Sequence, residues 1–195
     1  MSTNLLETVQ TQMGYPALQK IDPNTQIVTA DNSTPDEHLF SQAAIPGILT
    51  ALYKYSRTDE GAENILQGTI STDWLDILFG DNKKSVIQKI AFYSNFPGEI
   101  TEIKLNTIAV NAVNNIKKKV PAEATIHDVK KFLADQSPDI LLYLPASLQM
   151  GEILNDNTLD DRTNKMEGPL SSLMRGIGGK FSDDEPVKKD AVERM

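Results

Sequence analysis

The sequence predicts an all-α, multihelical bundle built from an internal duplication, followed by a largely disordered C-terminal tail. Three observations carry that expectation: the chain matches itself, its apolar residues recur at helical spacing, and cap and stop residues punctuate the apolar runs. At a shift of about 69 residues, Leu5-Leu6-Glu7-Thr8-Val9 lies on Trp74-Leu75-Asp76-Ile77-Leu78, and Leu18-Gln19-Lys20-Ile21 lies on Ile87-Gln88-Lys89-Ile90. At a shift of about 64, Ile45, Ile48, Leu49 and Leu52 fall on Ala109, Ala112, Val113 and Ile116, and Ala62 and Ile65 on Ile126 and Val129. The shift changes within Asp22 to Pro35, where a loop absorbs the difference. A duplicated helical domain over 1–154 follows, with a first copy near 5–66, a second near 74–130 and closing helices over 137–154. Residues 155–195 form a polar tail.

Taken in order, Ser2 or Thr3 caps a first helix that presents Leu5, Leu6, Val9 and Met13 on one face and stops at Gly14. Pro16 opens a short second helix, and Asp22-Pro23-Asn24 turns the chain. Thr34-Pro35-Asp36-Glu37 starts a long apolar helix, with acids where the helix dipole favours them. Pro46 lies inside that run, and proline costs a helix interior about 3 kcal/mol. A kink or restart near Ala44 is therefore expected.

Thr58 starts the next helix and Gly68 stops it. Thr72 caps Asp73 to Phe79, which Gly80 ends. Asp81 or Asn82 begins a helix bearing Val86, Ile87, Ile90 and Ala91, and Pro97-Gly98-Glu99 opens the longest one, closed by Lys117 to Lys119. Thr125 and Asp128 have capping-box spacing, with Asp in place of Glu. Ser137-Pro138-Asp139 starts the last apolar turns, which Pro145 breaks. No period-2 run long enough for a strand is present. Inside the tail, Leu170, Leu173, Met174 and Ile177 recur at i, i+3, i+4 and i+7. That short amphipathic segment, 169–177, has the form of a docking helix, either on its own core or in a partner's groove.

Composition narrows the function more by exclusion than by indication. A formal charge of −8 opposes general polyanion binding, which works through Lys and Arg displacing counterions. The absence of cysteine removes thiol chemistry, disulfides and Cys-ligated metals together. Met1-Ser2-Thr3-Asn4 has no basic, apolar leader pattern and no run is long enough to span a bilayer, so a cytoplasmic protein with no membrane span is expected.

The two histidines, His38 and His127, each sit beside acids in a first helical turn. Neither has a ligand partner at i+3 or i+4. No Gly-rich phosphate cradle precedes a Lys-Ser or Lys-Thr, Gly176-Ile177-Gly178-Gly179 follows no strand, and no serine lies in a nucleophile elbow. No catalytic, cofactor-binding or metal residue is therefore assigned, and no cofactor is expected. The acids Asp156, Asp160, Asp161 and Asp183, Asp184, Glu185 read as solvated tail. Val86 to Tyr93 followed by Pro97 onward has the outline of a helix-turn-helix near Lys83, Lys84 and Lys89. A recognition helix would set its first turn against phosphates, however, and here that turn carries Glu99 and Glu102. An αα-hairpin inside a bundle is the better reading, ahead of helix-turn-helix nucleic-acid binding.

The stretch Ile77-Leu78-Phe79-Gly80, then Val86 to Ala91, a break and a long Ala/Val/Ile helix is similar to the bacterial YidB-like proteins, domain of unknown function nine hundred and thirty-seven. Asn4-Leu5-Leu6, Ala43-Ala44-Ile45-Pro46-Gly47-Ile48-Leu49, Thr58 to Ala62 and Leu144-Pro145-Ala146-Ser147-Leu148 extend the resemblance over most of residues 4–154. It implies an all-α fold and no established activity. This chain departs from the pattern in Asn106, Asn111, Asn114 and Asn115 on the long helix, which leaves that helix's packing partner open. The expectation is a non-enzymatic module acting through an unknown protein partner or through itself, with Leu170, Leu173, Met174 and Ile177 as docking residues. The alternative is a carrier of an apolar small ligand, held where Ala and Val on the long helix leave space.

Overall fold

The computed structural model describes residues 4–21, 34–68, 73–156 and 158–159. Its helices are α1 (Leu5–Gln12), α2 (Asp36–Ser56), α3 (Asp59–Gln67), α4 (Trp74–Phe79), α5 (Lys83–Ser94), α6 (Gly98–Lys119), α7 (Ile126–Leu141) and α8 (Met150–Ile153). Short 3-10 turns at Gly80–Asn82 and Ala146–Leu148 link α4 to α5 and α7 to α8. The described residues are all-α and contain no strand. Among them, no helix is long and apolar enough to cross a membrane.

Helix α2 is the hub. Every residue from Phe40 to Tyr53 is buried, most of them apolar, with Ser41, Gln42 and Thr50 as the buried polar exceptions. Helices α1, α3, α4, α5, α6 and α7 all pack on it. Small residues make that density possible: at Gly47 the nearest side chains, Ile90 and Met150, stand 3.9 and 4.0 Å from where a Cβ would be. The expected break at Pro46 does not occur, and α2 runs unbroken from Asp36 to Ser56. Burial on all sides outweighs the roughly 3 kcal/mol that proline costs a helix.

The first helix is capped one residue later than expected. The Asn4 side chain accepts from the amides of Leu6 (3.0 Å) and Glu7 (3.3 Å). Pro16 opens no helix: residues 15–21 run as irregular chain, with Tyr15 and Ile21 buried. Buried Gln42 takes over the hydrogen bonding that a helix would have supplied. It accepts from Gln19 N (2.8 Å) and donates to Gln19 O (3.0 Å) and Tyr143 O (2.8 Å). Leu18–Ile21 and its sequence match Ile87–Ile90 therefore adopt different conformations, the latter lying in α5. The matched helices α2 and α6 are similar in length, 21 and 22 residues, but only α2 is enclosed.

Pro138 likewise starts nothing. Helix α7 continues through it from Ile126 to Leu141, so no separate closing helix begins at 137. Proline withholds the amide that would bond Ala134 O, and the Ser137 hydroxyl donates to that carbonyl instead, at 3.0 Å. Other caps fall as the sequence indicates. Thr58 accepts from Gly61 N at 3.0 Å, Gly68 ends α3 at φ 53°, and Asp128 accepts from Thr125 N at 2.8 Å. In α4 the cap is Asp73, which accepts from Leu75 N at 3.0 Å.

The asparagines of α6 have defined partners. Asn106 accepts from Trp74 N at 3.0 Å, closing the start of α4. Asn115 exchanges two hydrogen bonds with Gln12 at the end of α1, at 3.0 and 2.8 Å. Helix α6 is thus fastened to α4 along one edge and to α1 along the other. The buried Ala109, Ala112 and Val113 between them belong to the packed core.

Two glycines test this packing. A Cβ on Gly61 would lie 2.0 Å from the Tyr55 carbonyl oxygen, so Gly61→Ala should destabilise by about 1–3 kcal/mol. Gly47→Ala meets only ordinary contacts and should be neutral or stabilising, by up to about 1 kcal/mol through helix propensity. Urea denaturation of the pair checks both signs.

Candidate interaction surfaces

Two of the three cations beside the α5–α6 hairpin, Lys83 and Lys89, face the protein's own acids, while Lys84 is exposed. Lys83 Nζ lies 2.6 Å from Asp73, 2.9 Å from Glu102 and 3.0 Å from Asp76. The hydrogen bonds it donates to Asp73 and Glu102 raise its pKa well above the usual lysine value. Lys89 donates to Gln149 (3.0 Å) and faces Glu152. Phosphate binding by this hairpin would have to break those contacts. His38 and His127 are both exposed.

At the other end of α2, Lys104 sits against three rings. Its Nζ is 5.0 Å from the centroid of Phe96, 5.2 Å from Phe40 and 5.7 Å from Tyr15, and it pairs with Glu37 at 2.7 Å. Burial, reinforced by Glu37, pushes the Tyr15 phenol up to about 12. An aromatic box with an acid is what receives ammonium ligands, but this one is filled by the chain's own lysine. It ties residue 15, α2 and α6 together.

A cleft of about 640 Å³ opens where the end of α2 meets α3, α4 and α8. Leu78, Phe79, Ile153 and Leu154 line it together with Lys54, Arg57 and Glu60. No α6 residue takes part, so the small residues of that helix do not line it. Beside the cleft, Arg57 pairs with Asp156, and Thr158 Oγ1 donates to the same carboxylate at 2.6 Å. Asp156 is therefore not solvated tail, as its polar surroundings in the sequence suggest. It is buried, and Leu159 beyond it is buried in the core. The folded domain extends past the expected boundary at 154 because this acid has a cation and a hydroxyl waiting for it. Asp160 and Asp161 lie outside the described residues, as do Asp183, Asp184 and Glu185.

The most exposed large apolar side chains among the described residues are Ile103 (70%), Phe92 (54%), Leu142 (46%) and Ile100 (44%). Three of the four belong to one hairpin: Phe92 on α5, Ile100 and Ile103 on α6. The sequence did not single them out. Leu170, Leu173, Met174 and Ile177, the expected docking residues, lie outside the described residues. Among those described, no three or more His, Asp or Glu side chains converge as a metal site.

Comparison with protein-family models, with curated proteins and with solved structures returns no match. The chemistry of these surfaces must be read from their own geometry.

The anchoring of Asp156 has a pH signature. Burial alone would raise its carboxyl pKa, but the Thr158 hydroxyl, Arg57, the Thr158 amide and Lys54 outweigh it and hold it below the ordinary carboxylate range. The folded value lies below the unfolded one, so the stabilisation is present above about pH 4 and lost as pH falls through the folded value. Asp156→Asn should cost about 1 kcal/mol at neutral pH, modest because Arg57 is half exposed. It should also flatten the acid limb of stability against pH, measured by denaturation between pH 2 and 7.

Proposed function

We propose that the protein is a non-enzymatic helical module that works by protein–protein contact, self-association included. The observation that carries this reading is that three of the four most exposed large apolar side chains among the described residues, Phe92, Ile100 and Ile103, belong to one hairpin. Isolated exposed apolar residues are ordinary, but a group of them on adjoining helices is the mark of a docking surface. Charge supports the same reading. Three of the hairpin's cations, Lys83, Lys89 and Lys104, face intramolecular acids. The resemblance to the YidB-like proteins agrees with a helical module lacking catalytic residues, and a cytoplasmic location completes the reading.

Ile103→Glu is the direct test, because the side chain is 70% exposed and the fold does not need it. Helical content by circular dichroism should be unchanged, while affinity for the partner falls at least tenfold, the equivalent of about 1.4 kcal/mol. Affinity capture with tagged wild-type and variant protein, followed by titration of what is captured, reads that loss. Equal capture by both would remove the hairpin from the interface.

A further inference from the structure

Helix α6 carries an apolar stripe that faces the core and a second, uncharged stripe that faces outward. The inner stripe is Leu105, Ile108, Ala109, Ala112 and Ile116, all buried. The outer one is Ile100, Ile103, Thr107, Val110 and Asn114, of which Val110 is half-buried and the others exposed. Their intervals of 3, 4, 3 and 4 residues are those of a coiled-coil seam, in which one helix packs against another. Thr107 adds no unmet polar group, since its hydroxyl donates to Ile103 O at 2.8 Å.

No charged side chain lies on this stripe. The two charged residues between Ile100 and Asn114 are turned to its flanks, Glu102 to Lys83 and Lys104 to Glu37. In a protein with 24% charged residues, a charge-free exposed strip about four turns long has the composition of an interface centre. The heptad spacing selects a helix as its occupant.

The ends of the stripe say which helix. Glu99 precedes it, and Lys117, Lys118 and Lys119 follow it, all exposed. Glu99 and Lys117 are about five turns apart and so share one edge; Lys117 Nζ also donates to the Gln67 carbonyl at 3.1 Å, a bond it would keep beside a partner's Glu99. Two α6 helices laid antiparallel would set Glu99 of each against the lysine end of the other and oppose their dipoles favourably. Laid parallel, they would set lysines against lysines. The surface is self-complementary in the antiparallel sense, as a two-fold contact requires.

Resting on the protein-contact reading above, we propose that two copies of this chain associate through antiparallel contact of their α6 helices, with Thr107 near the two-fold axis. Asn114 of one copy then lies beside Ile100 of the other, a polar position of the kind that fixes register.

The chain contains no cysteine, so introduced cysteines report on this contact without background. Light scattering of the full chain should give twice 21.5 kDa at high concentration, and Ile103→Glu should return it to the monomer. Under mild oxidation Thr107→Cys should form a disulfide-linked dimer. Ile100→Cys and Asn114→Cys should each fail to link alone and should link when mixed. Self-linking by each alone would mean a parallel pair and overturn the geometry. A wild-type monomer at about 100 μM, which excludes a dimer dissociation constant in the low micromolar range or below, with no Thr107→Cys dimer, would overturn the second copy as occupant. If Ile103→Glu still abolished capture of a different protein, the contact reading would survive that failure. If it changed neither mass nor capture, both would fall. Circular dichroism of each exposed-site variant confirms that the helices are intact before the linking is read.

Discussion

The enclosure of α2 is the constraint from which the rest of the architecture follows. A helix buried on every side over Phe40 to Tyr53 has no polar face on which to end or bend, so its neighbours must supply everything that water would otherwise supply. Gln42 shows the consequence. Buried with its amide inside the bundle, it is satisfied by residue 19 on one side and residue 143 on the other. A single side chain thereby joins the chain before α2 to the chain after α7. An unsatisfied amide there would cost about 1–3 kcal/mol, so the irregular segment 15–21 is positioned by the hub rather than by its own propensity.

Side-chain amides do similar work elsewhere. Gln136 on α7 accepts from Leu5 N at 2.8 Å, Asn106 on α6 accepts from Trp74 N, and Asn82 donates to Ile153 O at 2.7 Å. In each case an amide from one element closes a backbone group at the end of another. Apolar packing alone would allow short helices such as α1 and α4 to slide along their neighbours. Hydrogen bonds to their first amides fix register, because a buried donor without a partner is expensive. The long helix α6 fastens both short ones, and its outward side is left as the strip that carries the proposed contact.

Much of this was legible in the sequence, and the failures have a common physical form. Helical periodicity, the all-α class, Thr58, Gly68, Asn82, Pro97 and the Thr125–Asp128 box are local signals read by local rules, and the described structure follows them. The rules failed at Pro16, Pro46 and Pro138, where tertiary context overrode proline's local meaning. Enclosure carried α2 through Pro46, a neighbouring serine carried α7 through Pro138, and Gln42 held residues after Pro16 out of a helix. The asparagines of α6 were visible but their partners were not, since those lie about 32 and 103 positions away. Asp156 was misread for the same reason: Arg57, the cation that buries it, is 99 positions distant. The outer stripe of α6 went unnoticed because two stripes on one helix blur each other's period, and only exposure separates them.

Native-state hydrogen exchange of the full chain tests most directly whether α2 is the hub. The amides of Phe40 to Tyr53, Pro46 apart, should exchange only through global unfolding and show the highest opening free energy in the protein, equal to that from denaturant melts. Faster exchange around Pro46 than in α6, or release of α2 in a partial opening that leaves the other helices protected, would contradict the account.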